Sequence, residues 1–331
     1  MAKILFVSRP AKVRFRELDY KILSQEHNVS NFGFRFTPLS VLQLFAEVRR
    51  NDAVFCWFAG LWSLFSVFFA KLLKKKSIVV PGGFDVANVP EFNYGLANSP
   101  FHRWYVKYIL KNCDLALPIT NANYQEAMAV AKPKKCEVVY CGVELKPAVK
   151  QFTKKKQVLT VGIVNKSSSE RKGHFRFIEM ARLLPDIPFI LVGRQMDDTI
   201  KKLKDSAPSN VTFYDFLSDE QLYNLFAESK VYLQLSYHES FGLSVVEAMS
   251  MGSTPVVSKD PALAEVIGDS GVVVDIKDYK NIAEKIMEVF NSGPDYNEKA
   301  AERALKFDIN NRAVNLLNEV RMIMSHEGNN G

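Results

Sequence analysis

SYHESFGLSVVEAMSMGSTPVV, Ser236 to Val257, governs how the rest of this chain is read. The apolar run Val231–Leu235 just before it has strand character, and Thr254–Val257 at its end has it again. Between them Ser240-Phe241-Gly242 opens a helix whose apolar positions Leu243, Val246 and Met249 fall at helical spacing. Strand, loop, helix and strand make one crossover of a parallel sheet. The first backbone N–H groups of such a helix lack intrahelical partners and sit at the positive end of its dipole, so they suit a phosphate. Glu239 stands just before the helix and Glu247 two turns inside it. At about 1.5 Å per residue the two backbones lie up to about 12 Å apart. Two carboxylates that share one glycosidic bond sit only about 5–9.5 Å apart. The spacing suits two carboxylates holding opposite ends of a longer ligand, with a diphosphate over the helix start between them.

The same alternation runs through all 331 residues, and at about 150 residues per domain that length makes two domains. Strand candidates in the first half are Ile4–Val7, Val54–Phe58, Ile78–Val80, Leu115–Ile119 and Glu137–Tyr140. In the second they are Val158–Val164, Phe189–Val192, Val211–Tyr214, Val231–Leu235, Thr254–Val257 and Gly271–Val274. Texture changes at Glu144–Gln157, where Pro147 and Lys154–Lys156 read as a linker. The expected fold class is α/β, two Rossmann-like doubly wound domains facing a central cleft, over residues 1–146 and 147–309. Tyr296 to about His326 reads as helix, long for finishing one small domain, and about 310–331 is expected to pack back onto the first half. Ligands of such sheets sit at the carboxyl ends of the strands.

A chain with 47% hydrophobic and 24% charged residues has ample core and is not a disordered one. Its net charge of +7 is uneven: residues 1–150 hold 21 Lys and Arg against 11 Asp and Glu, and residues 151–331 hold 22 against 25. The basic character therefore belongs to the first half and points to an anionic partner there. The apolar stretch Ile4–Val7 is too short for a signal-peptide core. Cys56, Cys113, Cys136 and Cys141 form no Cys-x-x-Cys and read as reduced thiols of a cytoplasmic protein. Ala53 to Ala70 carries no charge, at the lower limit for a membrane span. Strand residues Val54–Phe58, a break at Gly60 and a helix Leu61–Leu73 ending in Lys74–Lys76 read instead as a soluble strand and helix.

That helix is apolar on most sides, and Arg103, Lys107 and Lys111 recur beside Trp104, Tyr105 and Tyr108. Basic and aromatic residues together suit anionic lipid, so a peripheral position on the inner face of the cell membrane is expected. No nucleic-acid-binding motif occurs, and nucleic acid is not an expected partner.

The pattern S-x-x-E-S-F-G-L-x-x-x-E-A-M-x-x-G, Ser236 to Gly252, followed by Pro255-Val256-Val257, resembles the donor-binding signature of glycosyltransferase family 4, retaining enzymes of the GT-B fold and of the glycosyl transferases group 1. VGIVNKSSSERKG (Val161–Gly173) resembles the strand and loop that place a lysine on donor phosphates, with Lys172-Gly173 as the pair. FILVGR (Phe189–Arg194) resembles the next strand, and FYDFLSDEQLYNLFAES (Phe213–Ser229) the strand and helix that hold the base by backbone contacts near Phe216 and Leu217. The likeness is close over the second half and loose over the first.

The resemblance implies a retaining glycosyltransferase that moves a sugar from a nucleotide-sugar donor, a UDP-sugar in the favoured case, to a lipid-linked or glycan acceptor. It implies that Glu247 binds the ribose hydroxyls and Glu239 the transferred sugar. Gly242 and Leu243 would offer main-chain N–H groups, with Ser240, Phe241 and Gly193 lining the donor and Lys172 beside Arg171 facing the leaving diphosphate. No Asp-x-Asp occurs in the chain, so no metal and no cofactor are expected.

Three stretches depart from the family's pattern. Ile163 follows Gly162 where an arginine is usual, leaving Arg171 or Lys166 to substitute. SRPAKVRFR, with Arg9, Lys12, Arg14 and Arg16, replaces a glycine-rich loop after the first strand. PGGFD replaces a segment with an active-site histidine, so Asp85 is either a catalytic group or a turn-stabilising aspartate. A sugar-nucleotide epimerase of the same fold and a catalytically inactive nucleotide-sugar-binding subunit remain the alternatives.

Overall fold

The computed structural model describes residues 1–11, 13–145, 154–293 and 295–325. Its contacts divide the chain after Gly142 and again after Asp308, so that the helix Ile309–Ser325 belongs with the first unit. Lys12, Pro147 and His326 lie outside the described residues.

The first unit is a parallel sheet of β1 (Lys3–Ser8), β2 (Asn28–Gly33), β3 (Ala53–Trp57), β4 (Lys76–Val80) and β5 (Leu115–Ala116), in the order β2-β1-β3-β4-β5. Central β3 is buried at all five positions, as helices on both faces of a parallel sheet require. Strand β2, NVSNFG, was not among the expected strands because an edge strand buries too little to need an apolar run. Leu115–Ile119 and Glu137–Tyr140 are likewise corrected. Pro118 has no N–H to continue the ladder, so β5 stops at Ala116, and the second segment runs beside it through the bridge Ala116–Cys136 and the Val139 N–H donating to the Pro118 carbonyl at 3.0 Å.

The last part of the chain is not one helix. Asp295–Ala304 ends in a short 3-10 turn, Leu305–Phe307, and a new helix starts at Ile309. That helix lies against the helix Arg14–Leu23. Arg312 pins it: Nε and Nη2 donate to the two Asp19 oxygens at 2.6 Å, and Nη1 donates to the carbonyls of Val139 and Tyr140. Trp57 Nε1 donates to the same Asp19 at 2.8 Å, and the guanidinium lies 5.4 Å from the Trp57 ring centroid. Both charged groups are buried, so removing either partner would cost about 3–5 kcal/mol.

The second unit is a six-stranded parallel sheet of β6 (Lys155–Val161), β7 (Phe189–Val192), β8 (Val211–Tyr214), β9 (Ser229–Gln234), β10 (Thr254–Ser258) and β11 (Val272–Val274), ordered β11-β10-β9-β6-β7-β8. The lysines expected in a linker instead begin the sheet: Lys155 pairs with Ser229, and Lys154 Nζ donates to the carbonyls of Phe226, Ser229 and Met251. The chain runs outward from β6 through β8, then returns to β9 on the other side. The strand order therefore reverses between β6 and β9, and in such sheets ligands bind at the carboxyl ends of the two strands flanking that reversal.

Candidate active site

The carboxyl ends of β6 and β9 carry two loops that are locked together. After β6 a helix Lys166–Lys172 ends at Gly173, whose φ of 81° is the left-handed conformation open to glycine. A Cβ there would collide with the carbonyl of Leu235, just past β9, so the glycine is what lets Lys172 lie against the second loop. Tyr237 N–H donates to the Arg171 carbonyl at 2.7 Å, and Arg171 Nη1 donates to the His238 carbonyl. The two loops thus exchange backbone and side-chain bonds in both directions.

Glu239 sits at the join. Its Oε1 accepts from Lys172 Nζ at 2.7 Å and Ser236 Oγ at 3.0 Å, and Arg171 Nη1 lies 3.6 Å away. The three contacts converge on one oxygen. Burial raises the cost of charge on this carboxylate, but Lys172 and Arg171 outweigh it and hold its pKa at about 2. The carboxylate is therefore ionised at any physiological pH. Its supports continue inward: Gln234 Nε2 donates to Ser236 Oγ at 2.6 Å, and Tyr232 OH donates to Gln234 Oε1 and shares a hydrogen bond with the Ser244 hydroxyl at 2.8 Å. From the other side the Glu239 N–H donates to Asp260 Oδ2 at 3.1 Å.

The helix Leu243–Ser250 is capped by Gly242, three residues after Glu239, and Glu247 is half-buried inside it. Leu243 and Ser244 occupy its first turn, where backbone N–H groups have no earlier carbonyl of the helix to reach. The Phe241 side chain is buried edge-on against Phe307 at 5.4 Å between ring centroids, so a contact with a ligand would come from its backbone. Ser240 lies between Glu239 and Phe241 on the same loop. Gly193, past β7, lies so close to the Gly162 carbonyl that any Cβ would collide with it. Phe216 and Leu217 lie in the loop between β8 and the helix Asp219–Glu228, and Phe216 is 78% exposed. Lys166 is exposed at the start of its helix, whereas Arg171 is buried and braces the Glu239 loop.

Two contributors were not picked out from the sequence. Asp260 holds the Glu239 loop and also caps the helix Pro261–Ile267, accepting from Leu263 N–H at 2.9 Å. Aspartate followed by proline at a helix start was the signal that could have found it. His174, directly after Gly173, is 1% exposed, with Ser169 Oγ 3.0 Å from its Nδ1, and burial drops its pKa to about 3.

Residues 144–307 match the model of the family described as glycosyl transferases, group 1. That segment, nearly all of the second unit, is a group 1 glycosyl transferase domain. The O-antigen chain mannosyltransferase B of Escherichia coli is 33% identical over 105 residues, 30% of this chain and 28% of that protein. The D-inositol 3-phosphate glycosyltransferase of Mycolicibacterium smegmatis is 35% identical over 120 residues, 35% of this chain and 28% of that protein. The match therefore spans less than a third of either relative's length. Among solved structures, Anabaena HepE in complex with UDP and glucose aligns with a TM-score of 0.80 at 16% identity, over 97% of this chain and 100% of that one. At that identity the likeness establishes the GT-B fold. No cluster of three or more His, Cys, Asp or Glu side chains suited to a metal ion occurs among the described residues.

Asp85 belongs to the first unit and is fully buried. Its carboxylate accepts from Ala59 N–H at 2.6 Å and Gly82 N–H at 2.9 Å, tying the PGGFD loop to the end of β3. Burial pushes its pKa up to about 6 against the pull of those donors. Of the two sequence readings, this geometry is that of the turn-stabilising aspartate, and the catalytic one gives way. Asp85→Asn offers one acceptor where two N–H groups need one each, so stability should fall by about 1–3 kcal/mol. The folded variant should keep its transfer rate. A well-folded Asp85→Asn with transfer abolished would return Asp85 to the reaction.

Proposed function

We propose that the protein is a retaining, metal-independent glycosyltransferase that moves a sugar from a UDP-sugar to a lipid-linked or glycan acceptor at a membrane surface. One observation carries this reading: a buried, permanently ionised Glu239 held by Lys172 and Arg171 directly before the helix start at Gly242. The diphosphate would lie over the N–H groups of Leu243 and Ser244, with Lys172 neutralising the charge that grows on it as the glycosidic bond breaks. Glu239 Oε2, the oxygen not taken by the cations, would accept from a hydroxyl of the transferred sugar, and Glu247 from the ribose.

Retention follows from the same electrostatics. A carboxylate with a pKa of about 2 is a poor proton acceptor at neutral pH. The acceptor hydroxyl's proton then passes to the leaving diphosphate oxygen, on the face from which that group departs. The acceptor's oxygen attacks from this face, so the anomeric configuration is kept. The charge supplied by Lys172, Arg171 and the helix start is the donor set offered in place of a bridging metal. The E. coli relative's name favours mannose as a second choice of sugar, and the name of a Xanthomonas oryzae relative, 41% identical over 54 residues, gives GDP-mannose as that protein's donor.

A thermal-shift screen of UDP-, GDP- and ADP-sugars should find one donor class that stabilises the protein by about 2.7 kcal/mol at 100 times its dissociation constant. Lys172→Ala should lower kcat for transfer or donor hydrolysis by roughly a hundred- to a thousand-fold. A donor that binds without transfer or hydrolysis would leave the inactive-subunit reading, and conversion of the donor with no acceptor would leave the epimerase.

The membrane part of the reading rests on three neighbouring helices of the first unit, Pro38–Arg50, Leu61–Leu72 and Pro100–Asn112. They expose Leu39, Leu42, Phe68, Leu72, Phe101 and Trp104, each at least 47%. Lys71, Arg103, Lys107 and Lys111 are exposed on the last two of these helices. Each basic residue near an anionic bilayer contributes about 1 kcal/mol. None of the described helices is long and apolar enough to cross a membrane. Full-length protein should sediment with phosphatidylglycerol vesicles at low salt, and the pair Phe68→Glu and Trp104→Glu should abolish it. Protein that stays in the supernatant at low salt would end the membrane reading.

A further inference from the structure

The first unit holds a cavity of about 790 Å³ beside β1 and β2, under the start of the helix Arg14–Leu23. It lies in the stretch SRPAKVRFR, the one the transferase reading leaves without a task. Among the described residues its charged lining is Arg9, Arg16 and Lys21 against Glu17, with Asn31 and Tyr20 as polar and aromatic walls. A volume of this size suits a sugar-sized ligand.

Arg16 is the unusual member. It is 6% exposed, and two of its nitrogens donate to the carbonyls of Arg9 and Ala11, which holds the loop after β1 in place. Its buried Nε has no hydrogen-bond partner. A buried guanidinium is costly, and an anion bound beside Arg16 at the cavity wall would offset its charge. The same helix begins at Val13 with no side-chain cap, so its first N–H groups add positive potential at the cavity. Asp19, the nearest other acid on the helix, is fully engaged by Arg312 and Trp57 and offers the cavity no compensating charge.

We infer that this cavity binds a phosphate group carried by the acceptor, with Arg9, Arg16 and Lys21 as its cations. As an anion site the inference stands on the cavity alone; as an acceptor site it rests on the transferase reading. The phosphate has two possible carriers, a soluble sugar phosphate or a lipid headgroup, and the two probes below separate them.

The test is isothermal titration of the full-length protein at low salt with glucose 6-phosphate, with dihexanoyl phosphatidylglycerol below its micelle concentration, and with glucose as the uncharged control. At least one phosphate-bearing probe should bind while glucose does not. Arg9→Gln with Lys21→Gln should weaken that binding by at least about tenfold, the loss expected for charge-assisted hydrogen bonds. Glu17→Gln should tighten it, which a merely structural role would not produce. UDP-glucose binding, read on the same samples, should be unchanged by these variants. If neither phosphate probe binds, or the double variant binds as the wild type does, the inference is wrong. Failure of UDP-glucose and GDP-mannose to bind the wild type would instead count against the transferase reading.

Discussion

A carboxylate taken out of water has to be paired, and the pairing of Glu239 with Lys172 and Arg171 is the constraint around which the second unit's site is arranged. The two cations come from the loop after β6 and the carboxylate from the loop after β9, so the ion cluster spans the reversal of strand order. Gly173 permits the approach, and Tyr237, Ser236 and Asp260 hold the partners in register. Without a ligand the cations neutralise Glu239. In the proposed donor complex the diphosphate would be a second anion for them, and the other Glu239 oxygen would be left for the sugar. The cluster is thus preorganised for charge that appears elsewhere in the site.

The first unit solves a different problem. Its sheet is closed by a helix from the far end of the chain, and the buried Arg312–Asp19 pair, with Trp57 against both, makes that attachment specific. Part of its positive charge gathers in two places. One is the basic helix faces among exposed aromatics, the other the lining of the cavity after β1. Both favour an anionic partner, as the charge count of the first half suggested.

What the sequence made legible follows from what is locally encoded. The strand–helix rhythm, the two sheets and the Ser236–Val257 loop and helix could be read because buried parallel strands and helix starts leave strong local patterns. Strand β2 could not, since an edge strand carries no such pattern. The role of Asp85 stayed open, and that of Phe241 unspecified, for a related reason: a motif position shows the residue type but not the direction of the side chain. Asp85 turns inward to two backbone N–H groups, and Phe241 turns into the core against Phe307. The break at Leu305–Phe307 hid inside a long helical pattern, because both helices on either side are amphipathic.

The central claim is that the carboxyl ends of β6 and β9 bind a nucleotide-sugar through the helix start and the Lys172–Glu239 pair. Amide chemical-shift mapping of isotopically labelled full-length protein with UDP-glucose, and with GDP-mannose in parallel, tests it most directly. The account predicts saturable shifts at Gly162, Gly173, Leu217 and Gly242 through Ser244, with Lys172 Nζ moving away from its apo position. Shifts confined to the first unit, or none with either donor at millimolar concentration, would contradict it.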